Sequence, residues 1–136
     1  MTPERMADLH RAAFQSERPW SATEFHDLLA SKFVRSIHDV NGFALTRTVA
    51  GESELLTLAV DPVFQRQGIG RLLTLAWLDS IADNAQSAFL EVAADNVAAR
   101  ALYTSFGFAE VAKRSAYYAR KNAAAADAIV MRRDLT

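Results

Sequence analysis

The stretch Val60–Leu73, VDPVFQRQGIGRLL, sets two glycines one residue apart where a β-rich run gives way to an apolar helical run. A dinucleotide-binding fingerprint needs Gly or Ala at its sixth position, yet counting from Gly68 the sixth residue is Leu73, and no Lys-Ser or Lys-Thr pair follows as a phosphate-binding P-loop requires. Both standard phosphate motifs fail, and the physics of the junction remains. A strand ends, Gln65, Arg66 and Gln67 turn tightly, and a helix opens at Gly68–Gly70 with its first amide N–H groups unpaired. Such an end attracts anions. Glycine lets a ligand approach the backbone with no Cβ in the way, and Arg66 and Arg71 add charge, so a pyrophosphate would fit. Taken alone, a Gly-x-Gly reads more readily as a plain glycine-bearing turn, so its surroundings have to decide.

Those surroundings are one domain's worth of chain. With 136 residues, 51% of them apolar, there is enough material for a single domain over residues 1–136 and too little for two. Fifteen Lys and Arg against sixteen Asp and Glu leave a net charge of −1, which calls for neither nucleic acid nor an anionic membrane as partner. The absence of cysteine excludes a disulfide, a thiolate nucleophile and a Cys-type metal site, and suits a reducing cytoplasm. The N-terminus carries no charged-then-apolar signal pattern and nowhere do eighteen apolar residues run together, so a soluble, cytoplasmic protein is expected.

Helix punctuation is clear along the chain. Thr2 as N-cap with Pro3 at the first helical position predicts a helix at once, with Met6, Leu9, Ala13 and Phe14 as its apolar stripe. Ser21 and Glu24 form a capping box, flanked by Trp20 and Phe25 at the positions of a hydrophobic staple, which predicts a second helix over Ala22–Ala30. Strands are predicted at Val34–His38, Phe43–Val49 and Leu55–Val60, with Asn41-Gly42 and Ala50-Gly51 as turns. A helix Ile69–Ala82 with Ile69, Leu72, Leu73, Ala76 and Trp77 in the core, a strand Ala88–Ala93 and a helix Val97–Phe106 follow. Gly107 then supplies a left-handed cap with Phe108 beside it. Strands Phe108–Tyr118 and Ala128–Arg133 close the chain, with Ala123–Ala126 as a loop tip.

Two linked motifs now change the reading of the glycines. Gln65-x-x-Gly68-x-Gly70 resembles the acetyl-coenzyme A signature of the GNAT superfamily of N-acetyltransferases, and Asn96-x-x-Ala99-x-x-x-Tyr103-x-x-x-Gly107-Phe108 is similar to its second motif. Within the superfamily, Leu90-Glu-Val92, the pair Tyr117-Tyr118 after Arg114, the Asp127–Met131 ending and the Arg18-Pro-Trp-Ser21 entry resemble the ribosomal-protein-alanine N-acetyltransferases. The resemblance covers nearly the whole chain. It implies a single-domain α/β GNAT fold, with a mixed, mostly antiparallel sheet of about six strands flanked by four helices.

There are two departures. Such proteins usually begin with a strand, whereas Thr2-Pro3 already starts a helix, so the first strand is expected to be missing or vestigial. Its neighbour is then left as an open edge able to pair with another chain, giving a monomer or a weak dimer. The ribosomal subgroup also tends to carry Arg two residues after its glutamate, where this chain has Ala93. That loosens the choice of substrate more than the activity.

Moving an acetyl group from a thioester to an amine requires an uncharged amine, a polarised carbonyl and a proton for the departing thiolate. The resemblance implies that Leu58, Ala59 and Val60 offer backbone N–H groups where a bulge splays their strand from the one bearing Glu91. It also assigns the coenzyme to Arg66, Gln67, Gly68, Ile69, Gly70 and Arg71, with Asn96 bonding the pantetheine or a nearby backbone group and Tyr103 close by. Strand alternation sends Glu91 to the face opposite Leu90 and Val92, into the cleft, where burial would raise its pKa toward a useful base. Tyr117 and Tyr118 point to opposite faces, and the resemblance selects Tyr118 as the acid. Tyr103 is a rival acid, and Glu52 and Glu54 are rival bases.

The remaining polar residues read more simply. His10, His26 and His38 lack metal-type spacing and are expected to be surface or packing residues, with no metal in the site. Lys113, Arg114, Arg120 and Lys121 could attract an acidic peptide or the coenzyme's 3'-phosphate, but read better as a solvated face. Three functions compete: an N-terminal protein acetyltransferase, acting on a ribosomal protein among other possible acceptors; a small-molecule amine acetyltransferase; and a catalytically idle acetyl-coenzyme A binding module. The loops Gln15–Trp20 and Ala119–Ala126 are expected to flank the acceptor groove that separates the first two.

Overall fold

The computed structural model describes residues 1–120 and 123–136, which form four α-helices and one six-stranded sheet. Thr2 accepts the Arg5 N–H at 3.1 Å with Pro3 at the first helical position, so α1 (Pro3–Ala13) begins where the sequence predicts. Helix α2 (Ala22–Leu29) has both bonds of its capping box: Ser21 Oγ accepts from the Glu24 N–H at 3.2 Å, and Glu24 Oε1 accepts from the Ser21 N–H at 3.1 Å. The Trp20 and Phe25 ring centres stand 5.6 Å apart, which completes the staple.

Strands β1 (Val34–Asp39), β2 (Gly42–Val49) and β3 (Glu52–Val60) form a meander, followed by α3 (Ile69–Ile81), β4 (Ser87–Ala93), α4 (Val97–Ser105), β5 (Ala109–Tyr118) and β6 (Ala126–Asp134). The sheet order is β1-β2-β3-β4-β6-β5, antiparallel throughout except for the parallel β3/β4 pair. Strand β1 is one edge of the sheet and β5 the other; β1 is mostly exposed, and no strand precedes α1 among the described residues. No helix among the described residues is long and apolar enough to cross a membrane.

Each face of the sheet has its own core. Met6, Leu9 and Phe25 of α1 and α2 pack on Phe43, Leu45 and Ala59. On the other face Leu73, Trp77 and Tyr103 of α3 and α4 pack on Leu55, Leu90 and Val92. Trp77, the largest fully buried side chain, donates its indole N–H to Ser53 Oγ at 2.9 Å, so it leaves no polar atom unpaired.

Three sequence expectations need correction. The first hairpin turns at Val40-Asn41, and Gly42 opens β2 instead; a Cβ there would meet the Ala59 carbonyl oxygen at 3.0 Å and Ile69 Cγ2 at 3.1 Å, so close packing demands the glycine. Ala50 and Gly51 do form the second turn, both left-handed with φ of 52° and 81°. Leu72 was expected in the core but is 64% exposed, because the buried stripe of α3 runs through Leu73, Thr74, Trp77 and Leu78. Third, Arg120 is not part of a solvated face, as its contacts below show; Lys121 lies outside the described residues.

Candidate active site

The parallel pairing of β3 with β4 runs from Glu52↔Ser87 to Leu55↔Leu90 and stops there. Beyond it the strands part, and Glu91 is the first residue of β4 past the last pair. The cause lies in β3, where Leu45↔Thr57 is followed by Thr46↔Leu55 on β2, so Leu56 is bulged out of the ladder. The bulge shifts side-chain parity: Leu55 and Leu58, three residues apart, both serve the α3/α4 core. It also sets the direction of the backbone beyond it. The Asp61 N–H donates to Asn41 O at 2.8 Å, which makes Gly42↔Val60 a pair without direct hydrogen bonds. By alternation the N–H groups of Leu58 and Val60 then point into the gap, and that of Ala59 toward β2.

At the same end of the sheet α3 begins with its cradle open. Gly68 is the N-cap at φ 84° and gives no side-chain cap, so the N–H groups of Ile69, Gly70 and Arg71 have no acceptor from the helix. Arg66 is left-handed as well, at φ 65°, a strained setting for a residue with a Cβ. The Gln65 side-chain amide donates to Val60 O at 3.1 Å and pins the loop back onto β3. A Cβ on Gly70 would meet Leu102 at 3.5 Å and Leu58 at 3.8 Å, ordinary contacts, so packing does not require this glycine; an approaching ligand would. Arg71 donates to Ser105 Oγ at 3.2 Å and lies 5.2 Å from the Phe106 ring centre, held against α4. The residues present fit a pyrophosphate: free amides, two arginines and no side chain in the way.

On the opposite face stand the groups for proton transfer. Glu91 pairs with Val130, Ala93 with Ala128, Arg114 with Ala128 and Tyr118 with Ala126, and this register puts Glu91, Arg114 and Tyr118 on one face. Tyr117 does not turn to the opposite face as alternation predicts: its ring centre lies 5.1 Å from that of Tyr118, edge to face at 87°, and 5.2 Å from the Arg114 guanidinium carbon. Strand β5 takes up two extra residues between Arg114 and Tyr118, with Ala116 left-handed at φ 51° and its N–H held by Asp127 Oδ1 at 2.8 Å. Glu91 Oε1 is buried without a hydrogen-bond partner among the described residues, and Arg114 Nε is 3.5 Å away. The Tyr118 phenol is pushed up to about 12 by burial first, then by the charges of Glu91, Glu17 and Tyr117, with Arg120 pulling the other way. It therefore keeps its proton across the physiological range.

The rival groups sit elsewhere. Glu52 and Glu54 lie where β3 and β4 are still paired, and Glu54 meets Arg47 at 2.8 Å. Tyr103 is buried in the core for a local reason. Phe108 N–H bonds Tyr103 O at 3.1 Å and Gly107 N–H bonds Thr104 O at 3.0 Å, a Schellman cap with Gly107 at φ 88° and the Tyr103 and Phe108 rings packed at 6.1 Å. Burial pushes the Tyr103 phenol far up. Asn96 Oδ1 caps α4 by accepting the Ala99 N–H at 3.2 Å, the backbone bond the sequence allowed for. His10 is the packing histidine, 3% exposed, whereas His26 and His38 lie at the surface. Sequence reasoning missed Arg120, whose side chain is 9% exposed and grips Asp95 at 2.8 Å and Glu17 at 3.6 Å; a charged loop residue gives no local sign of such partners.

Comparison with known proteins agrees with this geometry. The profile of the family described as FR47-like protein matches residues 35–118. An N-alpha-acetyltransferase RimI of Mycobacterium tuberculosis is 39% identical, over 96% of this chain and 85% of its own length. The [ribosomal protein bS18]-alanine N-acetyltransferase of Escherichia coli is 38% identical, over 83% of this chain and 79% of its own. A crystal structure of the ribosomal-protein-S18-alanine N-acetyltransferase from Escherichia coli superposes with a TM-score of 0.85 at 32% identity, over 96% of this chain and 85% of that one.

Proposed function

The chain belongs to the FR47-like family of the GNAT acetyltransferases, and from that premise we propose that it acetylates the N-terminal α-amine of a protein or peptide. It is an N-acetyltransferase, with acetyl-coenzyme A as co-substrate. The observation that carries the acceptor chemistry is the position of Glu91, first beyond the last β3–β4 pair and on one face with Tyr118. Residues 1–136 act as one catalytic domain in the cytoplasm.

Acetyl-coenzyme A supplies an acyl group activated as a thioester. The cradle at Gly68–Arg71 holds the pyrophosphate, and the Leu58 and Val60 N–H groups polarise the carbonyl. Glu91, through a water, takes one proton from the α-ammonium and passes it to solvent. The amine nitrogen then forms the C–N bond as the C–S bond breaks, and Tyr118 gives its proton to the leaving thiolate. The second proton lost by the nitrogen restores Tyr118 through water, so one proton is released in all.

An α-amine has a reference pKa near 7.7–8.0 against about 10.4 for lysine, so at neutral pH a single carboxylate serves the α-amine far better. The acetyl group sits in a narrow gap between strands, which favours a small first residue such as Ala or Ser. The names of the relatives support a ribosomal protein as acceptor. A thiol-release assay with competing N-terminal peptides, lysine side chains and simple amines tests the reading. Peptides beginning with Ala or Ser should win; preference for a free small amine over every peptide would replace it with the small-molecule activity.

A further inference from the structure

The guanidinium of Arg120 gathers three separate segments. Its Nε and one terminal nitrogen bond the two oxygens of Asp95, after β4, at 2.9 and 2.8 Å, and it meets Glu17, between α1 and α2, at 3.6 Å. Its central carbon lies 5.6 Å from the centre of the Tyr118 ring. A surface arginine keeps its head in water, yet this side chain is 9% exposed and carries its charge inward between two carboxylates. The two-armed bond fixes direction as well as distance, which a lysine could not do. Tyr118 needs such support, because it ends β5 just past the two extra residues and pairs with Ala126 beyond that break in the ladder.

We propose that Arg120 is a positioning residue: by spanning Asp95 and Glu17 it sets the Tyr118 ring over the face bearing Glu91 and fixes the spacing between the two walls of the acceptor groove. The inference rests on Tyr118 as the acid. It predicts two separable effects of loosening the grip, a lower kcat through a misplaced phenol and a higher peptide KM through a wider groove, with the coenzyme site on the other face untouched.

The test is steady-state kinetics on the full chain with acetyl-coenzyme A and an Ala-first peptide, comparing Arg120→Gln and Asp95→Asn alone and each combined with Tyr118→Phe. Asp95 is 56% exposed, so its neutral variant loosens the same fork with little risk to folding. Arg120→Gln should lower kcat about tenfold and raise peptide KM several-fold, Asp95→Asn should do both more weakly, and neither should lower kcat further once Tyr118 is Phe. Acetyl-coenzyme A affinity should not change. Equal losses of kcat in both backgrounds would leave Tyr118 as the acid and overturn the positioning role, as would wild-type kinetics in Arg120→Gln. Wild-type turnover in Tyr118→Phe alone would overturn the acid assignment and this inference together.

Discussion

Arg114 Nε stands 3.5 Å from Glu91 Oε1, reaching it from edge strand β5 across β6; the row of Arg114 runs through Ala128 to Ala93 on β4, two residues beyond Glu91. Ala128 and Ala93 are buried and small, so along this row nothing holds the arginine back from a carboxylate two strands away. Ala93, which by resemblance is a missing cation, therefore sits in a site where the cation comes from another strand.

Glu91→Gln should lower kcat/KM for an Ala-first peptide about a hundredfold, most severely at low pH where the amine is protonated, without weakening acetyl-coenzyme A. Arg114→Ala should cost less, about threefold, because it frees the carboxylate without removing it. Thiol release followed across pH checks both; a Glu91→Gln enzyme as fast as wild type would move the base elsewhere.

Tyr118→Phe should slow turnover about tenfold or more with coenzyme affinity unchanged, whereas Tyr103→Phe should mainly loosen the packing against Phe108. An inactive Tyr103→Phe beside a normal Tyr118→Phe would hand the acid role to Tyr103.

What was legible in the sequence was what local chemistry decides. Thr2, Ser21 with Glu24, and Gly107 each announce a helix end because the partner of the capping bond lies within a few residues, and all of those bonds form. The strand alternation that exposes Glu91 is local too. Gly42 was misread because its constraint comes from Ala59 and Ile69, which a turn motif does not contain. Leu72 was misread because a period of 3.6 gives the stripe but not its centre. The bulge in β3 was expected only through the family resemblance, and its place at Leu56, like the partners of Arg120, is set by pairings across the fold that no short motif encodes.

The two glycines at the coenzyme cradle should respond differently to alanine. At Gly68 a side chain has open space but must hold φ 84°, which costs on the order of 1 kcal/mol of stability. At Gly70 alanine fits the protein, so Gly70→Ala should melt near wild type and bind coenzyme A more weakly, and Gly70→Asp should abolish binding by setting a carboxylate against the phosphates. Calorimetric titration showing unchanged affinity in folded Gly70→Asp would remove the cradle from this loop.

His10 should make the fold sensitive to mild acid. Its Nδ1 accepts the Trp20 N–H at 3.2 Å within a cluster of Phe14, Trp20 and Phe25, and burial first, then the charge of Arg18, lowers its pKa from 6.5 to about 4. Above pH 6.5 the ring is neutral folded or unfolded and contributes no slope. Between about 6.5 and about 4 the unfolded chain takes up a proton that the folded chain refuses, so stability falls as pH falls, and below that window this group adds no further loss. The carboxylates held low, Glu24 and Asp95, titrate from 4.5 and 3.8 in the unfolded chain, and Glu17, held above 4.5 by burial, acts in the opposite sense, so a loss of stability in the upper part of the window belongs to His10. Denaturant unfolding from pH 6.5 to 5 should therefore show a loss on the order of 1–2 kcal/mol. His10→Asn, which keeps an acceptor for Trp20, should be less stable at pH 7 but flat across that interval; an unchanged slope in that variant would assign the pH dependence to other groups.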